Sequence, residues 1–197
     1  MFPVMEAFYT IQGEGFHSGR AAYFIRLAGC DVGCAWCDVK ESWNAGVHPQ
    51  QSAEEIVKLA AESPSRFAVI TGGEPAMYDL TPLTRLLHEA GFEIAIETSG
   101  AYSLKGDIDW ICLSPKKFKS PLPEMLNRAD EFKVVINHSS DFSWAEGLQT
   151  HLQDNCRCYL QPEHSRFDEH IGPIIDYVKI HPGWKISLQI HKIIHVP

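Results

Sequence analysis

The sequence contains no apolar run near the roughly 20 residues that a helix needs to cross a bilayer, which excludes a helical membrane protein. Positive charge is scarce. Lys and Arg number 17 against 25 Asp and Glu, for a formal net charge of −8. That balance excludes broad binding to nucleic acid, because phosphate contacts need clustered basic side chains. The opening MFPVMEAFYT lacks the basic start and apolar stretch of a signal peptide, so a cytoplasmic protein is expected. No repeat, low-complexity tract or linker interrupts the chain, and residues 1–197 are expected to form one domain. Six cysteines are present, but the crowded group Cys30, Cys34 and Cys37 lacks a fourth member. Four would complete a closed structural zinc site. An even number spread along the chain would suggest disulfides, which a reducing compartment disfavours.

What is present is an alternation of apolar runs with amphipathic segments. Strands are expected over AAYFIRLAG (21–29), FAVIT (67–71), FEIAIET (92–98), DWICLS (109–114), FKVVIN (132–137) and CRCYLQ (156–161), and a strand or extended segment over KISLQIH (185–191). Helices are expected over SAEEIVKLAAES, with Ser52 and Glu55 as a capping box, and over LTPLTRLLHEAG, with Thr81 as N-cap, Pro82 at the first position and Gly91 past the end. SSDFSWAEGLQTHLQ is also read as helical. Strands alternating with helices predict right-handed crossovers and a parallel sheet, hence an α/β fold. Too few units are present for a closed eight-fold barrel, so a partial TIM-type barrel is expected. In such folds functional groups gather at the carboxyl ends of the strands. The segments LAGC, TGGEP, ETSG, LSPK and LQPE all fall where a strand ends, which points to one shared site.

Thiolates at this spacing suit a metal. Zinc completed by Asp38 or a distant His is one reading, and an iron–sulfur cluster held by three thiolates with one open iron is the other. Arg26 interrupts an otherwise apolar strand, and a buried guanidinium requires an anionic partner, either a substrate carboxylate or a structural Glu. Cys156 and Cys158, two apart and so on one strand face, are read with Cys112 as core thiols.

The Cys30-x3-Cys34-x2-Cys37 triplet, with Trp36 before its last member, resembles the radical S-adenosylmethionine (SAM) superfamily, and TGGEP resembles that superfamily's second motif. Within it the chain resembles the 7-carboxy-7-deazaguanine synthase family from end to end, through FYTIQGEG, GRAAYFIRLAGC, TGGEP, ETSG, LSPK, LQPE and the terminal ISLQIHKIIHVP. The resemblance implies a radical SAM core and a [4Fe–4S] cluster on the three cysteines, with SAM on its open iron. It implies a lyase that converts 6-carboxy-5,6,7,8-tetrahydropterin to 7-carboxy-7-deazaguanine, for queuosine and other deazapurines. Hydrogen abstraction at C6, ring contraction and loss of ammonia make up that reaction, with the radical carried by SAM and no catalytic side chain assigned.

By the same resemblance Ile11, Gln12, Gly13, Glu14, Arg26, Thr71, His191 and the terminal Pro197 would hold the pterin. Trp36, Cys37, Asp38, Gly73, Glu74, Ser114, Pro115, Lys116, Gln161, Pro162, Glu163 and His164 would flank SAM. The apolar, strand-like IIHVP is expected to dock rather than fray. A flavodoxin or ferredoxin reductant and a homodimer are implied as well. The chain departs from the family pattern at Val39, where Thr or Ser commonly helps hold Mg2+, and at Ile190 and Glu163–His164; these departures bear on the implied magnesium and on the SAM-side contacts. A glycyl-radical activating enzyme would share the cysteines but not the two ends of the chain. A non-catalytic iron–sulfur or zinc module would explain neither Arg26 nor TGGEP.

Overall fold

The apolar runs become strands whose side chains alternate between two faces, as a period of two requires. The computed structural model, which describes residues 1–197, joins nine strands in one sheet. β1 (Phe2–Ile11) runs antiparallel to β2 (Ala21–Leu27), and the short β3 (Gln50–Gln51) pairs antiparallel with the start of β1. From β2 onward every neighbour is parallel, through β4 (Phe67–Gly72), β5 (Glu93–Thr98), β6 (Trp110–Leu113), β7 (Glu131–Ile136), β8 (Arg157–Pro162) and β9 (Trp184–Ile186). The order β3-β1-β2-β4-β5-β6-β7-β8-β9 leaves two unpaired edges, so the sheet is an open, partial barrel. Helices α1 (Ala53–Ala61), α2 (Thr81–Glu89), α3 (Pro123–Arg128), α4 (Ser140–Gln149) and α5 (Phe167–Ile180) fill the connections, and α6 (Ile190–Ile194) follows β9.

The two faces of the sheet do different work. Ile25 and Leu27, Ile70, Ile94 and Ile96, Leu113, Val134 and Leu160 face the helices and form the main core with residues such as Ile56, Leu83 and Ile174. The opposite face turns inward. Near the amino ends of the strands it carries a small apolar plug of Ala22, Phe24, Phe67, Val69 and Ala95. Two residues further along the same strands stand Arg26, Thr71 and Glu97, and Lys133 and Gln161 face the same way on β7 and β8. Along β2, β4 and β5 the inner face therefore changes from an apolar plug near the amino ends to polar and charged groups near the carboxyl ends.

Several sequence expectations are corrected. Thr81 is the first helical residue of α2 rather than its cap, with Leu80 in the cap position, and its N–H is satisfied by Asp79 Oδ1 at 3.0 Å. The segment KISLQIH is strand only through Ile186, and IIHVP is not strand-like. It enters α6, which ends at His195 in the left-handed region (φ 57°). Propensity favours extension for this β-branched run, but β9 pairs only with β8 and offers the tail no further strand to join. β1, α3 and α5 carry no strong sequence signal. The capping box of α1 is present in full, with Glu55 N–H donating to Ser52 Oγ at 3.2 Å and Ser52 N–H donating to Glu55 Oε2 at 2.7 Å. Ser52→Ala is expected to cost about 1 kcal/mol, seen as a lower urea midpoint at unchanged slope.

Candidate active site

The polar carboxyl end of the sheet, the loops that follow it and the C-terminal segment enclose a cavity of about 260 Å³. Cys30, Cys34 and Cys37 lie at its wall as free thiols, in the loop that follows β2. Burial pushes the Cys30 and Cys34 thiols up, and nearby Lys116 acts in the opposite direction on Cys34. The Lys116 ammonium donates to Ser114 O and Oγ at 2.5 and 2.7 Å and lies 5.8 Å from the centre of the Trp36 ring. No three His, Cys, Asp or Glu side chains converge as a single-ion cage would require. Soft sulfur donors arrayed beside a cavity, with no fourth cysteine among them, fit a cluster attached through several irons.

The TGGEP loop is sewn to the cysteine loop. Gly73 N–H donates to Leu27 O and Glu74 N–H to Gly29 O, both at 2.8 Å. A Cβ on Gly73 would strike Gly29 O and come within 2.9 Å of Cys30 Cβ, so only glycine permits this approach. Glu74 is 1 % exposed, and its carboxylate accepts from Thr98 Oγ1 (2.5 Å), Ser99 N (2.8 Å), Ser99 Oγ and Ala76 N (3.0 Å). That side chain straps the loop to the end of β5. Glu163 likewise caps the turn after β8 through Ser165 N and Oγ at 3.1 and 2.6 Å, while His164 stands exposed at the rim.

Deeper in the cavity is a buried charge network. The Lys133 ammonium, on β7 and 4 % exposed, pairs with Glu14 and lies 3.6 Å from Glu97 Oε1. Gln12 Nε2 donates to Glu97 Oε1 at 3.0 Å, Thr71 Oγ1 to Glu97 Oε2 at 3.4 Å and Gln189 Nε2 to Glu14 Oε1 at 2.8 Å. Burial alone would raise the Glu14 carboxyl, but Lys133, Gln189 and His191 together bring it down to about 2. For Lys133 burial acts downward, and the surrounding Cys112, Glu14, Glu97 and Glu131 outweigh it, so its pKa lies above the ordinary lysine value.

The tail closes the remaining side. Ile190 N–H donates to Gly13 O at 3.0 Å, and the His191 ring occupies the space a Cβ on Gly13 would need. Burial lowers the pKa of that imidazole. Lys192 Nζ meets Asp38 Oδ2 at 3.0 Å, and Thr10 Oγ1 donates to Pro197 O at 3.1 Å, which places Pro197 at the cavity. Arg26 Nε donates to Glu6 Oε1 at 2.6 Å. The structural partner that the sequence left open therefore exists, yet neither terminal guanidinium nitrogen has a protein acceptor and the side chain still lines the cavity.

Of the anticipated site residues only Pro115 stands apart from the cavity wall. Sequence reasoning missed Glu97, Lys133 and Gln189. The first two carried the signal that marked Arg26, a charge inside an apolar run, in FEIAIET and FKVVIN. Gln189 had none.

Lys133→Met removes one partner of a buried pair and is expected to cost about 3–5 kcal/mol, measured by urea denaturation. Because Glu14 is depressed to about 2, its ionised form contributes stability that is complete above the ordinary 4.5 and is lost as pH falls toward 2. Acid titrations of stability should show that loss in the wild type and not in Glu14→Gln.

The model of the Radical SAM superfamily matches residues 24–138. A 7-carboxy-7-deazaguanine synthase of Flavobacterium psychrophilum is 50% identical over 197 residues, covering 100% of this chain and 93% of the relative. The enzyme of the same name from Synechocystis is 44% identical, over 99% of this chain and 93% of the relative, and that of Escherichia coli K12 is 34% identical over 99% of both. The crystal structure of QueE from Escherichia coli superimposes with a TM-score of 0.84 at 34% identity, covering 95% of this chain and 93% of that one.

Proposed function

From the premise that the chain belongs to the 7-carboxy-7-deazaguanine synthase family of radical SAM enzymes, we propose how its own residues carry the reaction. The reaction converts 6-carboxy-5,6,7,8-tetrahydropterin to 7-carboxy-7-deazaguanine and ammonia, through hydrogen abstraction at C6, ring contraction and return of the hydrogen. The observation that carries this reading is the polarity of one cavity: three thiols on one wall, a guanidinium whose terminal nitrogens have no protein acceptor on another and buried carboxylates at the floor.

Cys30, Cys34 and Cys37 would hold the [4Fe–4S] cluster. When bound, cluster and SAM supply a 5′-deoxyadenosyl radical by one-electron reductive cleavage. Gly73, Ser114, Lys116, Gln161 and Pro162 line the SAM side with Trp36, Cys37 and Asp38, and Glu163 and His164 border it. Glu74 acts by fixing the loop, since its oxygens are already engaged. At the substrate end the free fork of Arg26 matches a carboxylate in bidentate geometry. Glu14 and Glu97 accept the N–H groups of the pterin's amino-pyrimidinone edge, with Gln12 and Thr71 fixing Glu97 and Gln189 fixing Glu14. Ile11, Gly13, His191 and Pro197 complete the enclosure and keep water from the reacting centre.

Val39 offers no side-chain oxygen, and Asp38 Oδ2 is engaged by Lys192, so the side chains at these two positions fall short of the family's magnesium site. Charge at the substrate carboxylate comes instead from Arg26. The electron would come from an external carrier such as flavodoxin or ferredoxin. A cytoplasmic homodimer completes the proposal, and no helix is long and apolar enough to cross a membrane.

The deciding experiment is an anaerobic assay of reconstituted protein with SAM, a reductant and 6-carboxytetrahydropterin, read by mass spectrometry. 7-Carboxy-7-deazaguanine should form and should vanish in Cys34→Ala. 5′-Deoxyadenosine without that product would refute the substrate, and neither product from a loaded cluster would refute the activity. Chelating magnesium should leave turnover unchanged.

A further inference from the structure

The fork of Arg26 is aimed by a side chain outside the cavity. In the β1–β2 ladder Val4 stands opposite Leu27, but the next recorded pair is Glu6 opposite Arg26, followed by Ala7 opposite Ile25 and Phe8 opposite Phe24. The register slips by one residue between Val4 and Glu6, which is a β-bulge. A regular ladder continued from Val4 and Leu27 would bring Glu6 opposite Ile25, with its side chain on the core face. The bulge turns it to the inner face, where Arg26 stands. Bulges re-aim side chains in this way next to active sites.

The contact it creates is specific. Glu6 Oε1 accepts from Arg26 Nε at 2.6 Å, which is the side of the guanidinium away from its terminal fork. Glu6 does not line the cavity and Arg26 does. Arg26 is 19 % exposed against 44 % for Glu6, so the carboxylate approaches from the solvent side while the fork faces inward. An arginine side chain held at Nε has lost most of its rotamer freedom before any ligand arrives, which reduces what binding must order. The same carboxylate balances the guanidinium when the cavity holds no anion.

We propose that Glu6 is a positioning residue for recognition of the substrate carboxylate: the bulge at Val4–Glu6 brings it behind Arg26, and it presents the guanidinium fork ready-oriented to the carboxylate at C6. The inference rests on the reading of Arg26 given above. It concerns discrimination between carboxylated and uncarboxylated pterins rather than the chemical step.

The test is anaerobic equilibrium binding to the cluster-loaded protein in the presence of SAM. The two ligands are 6-carboxytetrahydropterin and tetrahydropterin without the carboxylate, and SAM affinity and thermal unfolding are followed in parallel. Glu6→Ala is expected to weaken the carboxylated ligand by about tenfold, leaving the uncarboxylated ligand and SAM unchanged. Glu6→Gln, whose amide oxygen still accepts from Nε, should keep most of the wild-type affinity. In an Arg26→Gln background Glu6→Ala should add nothing, the signature of two residues acting as one unit. Equal weakening of both ligands, tighter binding in Glu6→Ala, or additive losses in the double variant would overturn the role of Glu6. Arg26→Gln that binds the carboxylated ligand as well as wild type would overturn the underlying reading of Arg26 instead. If the wild type bound neither pterin, the substrate assignment itself would fall.

Discussion

A single buried ammonium holds the inner barrel together. Lys133 reaches from β7 into a space where Glu14, from the β1–β2 loop, and Glu97, from β5, both present carboxylates. Two acids at this depth would repel each other and lose their hydration, and each would be driven toward the neutral form. The ammonium reverses that balance, keeps Glu14 ionised and draws three separate chain segments to one point. Gln12 and Thr71 then orient Glu97, and Gln189 orients Glu14. Hydrogen-bond acceptors on the cavity floor are thus fixed before a ligand arrives, which is the preorganisation an active site requires.

The second constraint is that the sheet does not close. Its edges are β3 beside β1 and, at the far end, β9. An open barrel is a liability for a site that must exclude water, and the chain meets it with its own tail. Ser187 accepts from Gly15 N–H at 3.0 Å and donates to Gln161 at 2.7 Å, Ile190 reaches Gly13, Lys192 reaches Asp38, and Pro197 reaches Thr10. Nothing in α6 is fully buried. Polar contacts rather than core packing hold this wall, so it belongs among the parts of the molecule that open at low free-energy cost. The result is a rigid floor and a more easily opened side around one cavity.

Legibility of the site tracked chemical distinctiveness. Cysteines at short spacing, paired glycines after a strand and an arginine in an apolar strand stand out against composition, and the fold brings all of them together. Lys133 and Glu97 were equally anomalous in their strands, but an isolated charge does not say which neighbour will neutralise it. Arg26 illustrates the same gap. Its need for an anion is plain from sequence, whereas its sharing between Glu6 and the open cavity depends on a one-residue slip in a ladder. Gln189 and the helical turn of the C-terminal tail had no local signal at all.

By itself the sequence determined the alternation of strands and helices, the parallel α/β class, the cysteine triplet after the second strand and the gathering of polar and Gly-rich segments at strand ends. These follow from periodicity, capping and side-chain chemistry, which act over a few residues. Only the tertiary structure decided which charges pair inside the barrel, which strands form its open edges, and that Ile190–Ile194 coil into a short helix beside the cavity. Those outcomes depend on register, burial and closure between segments distant along the chain. Local propensity carries no information about such distances, and in IIHVP it pointed the other way.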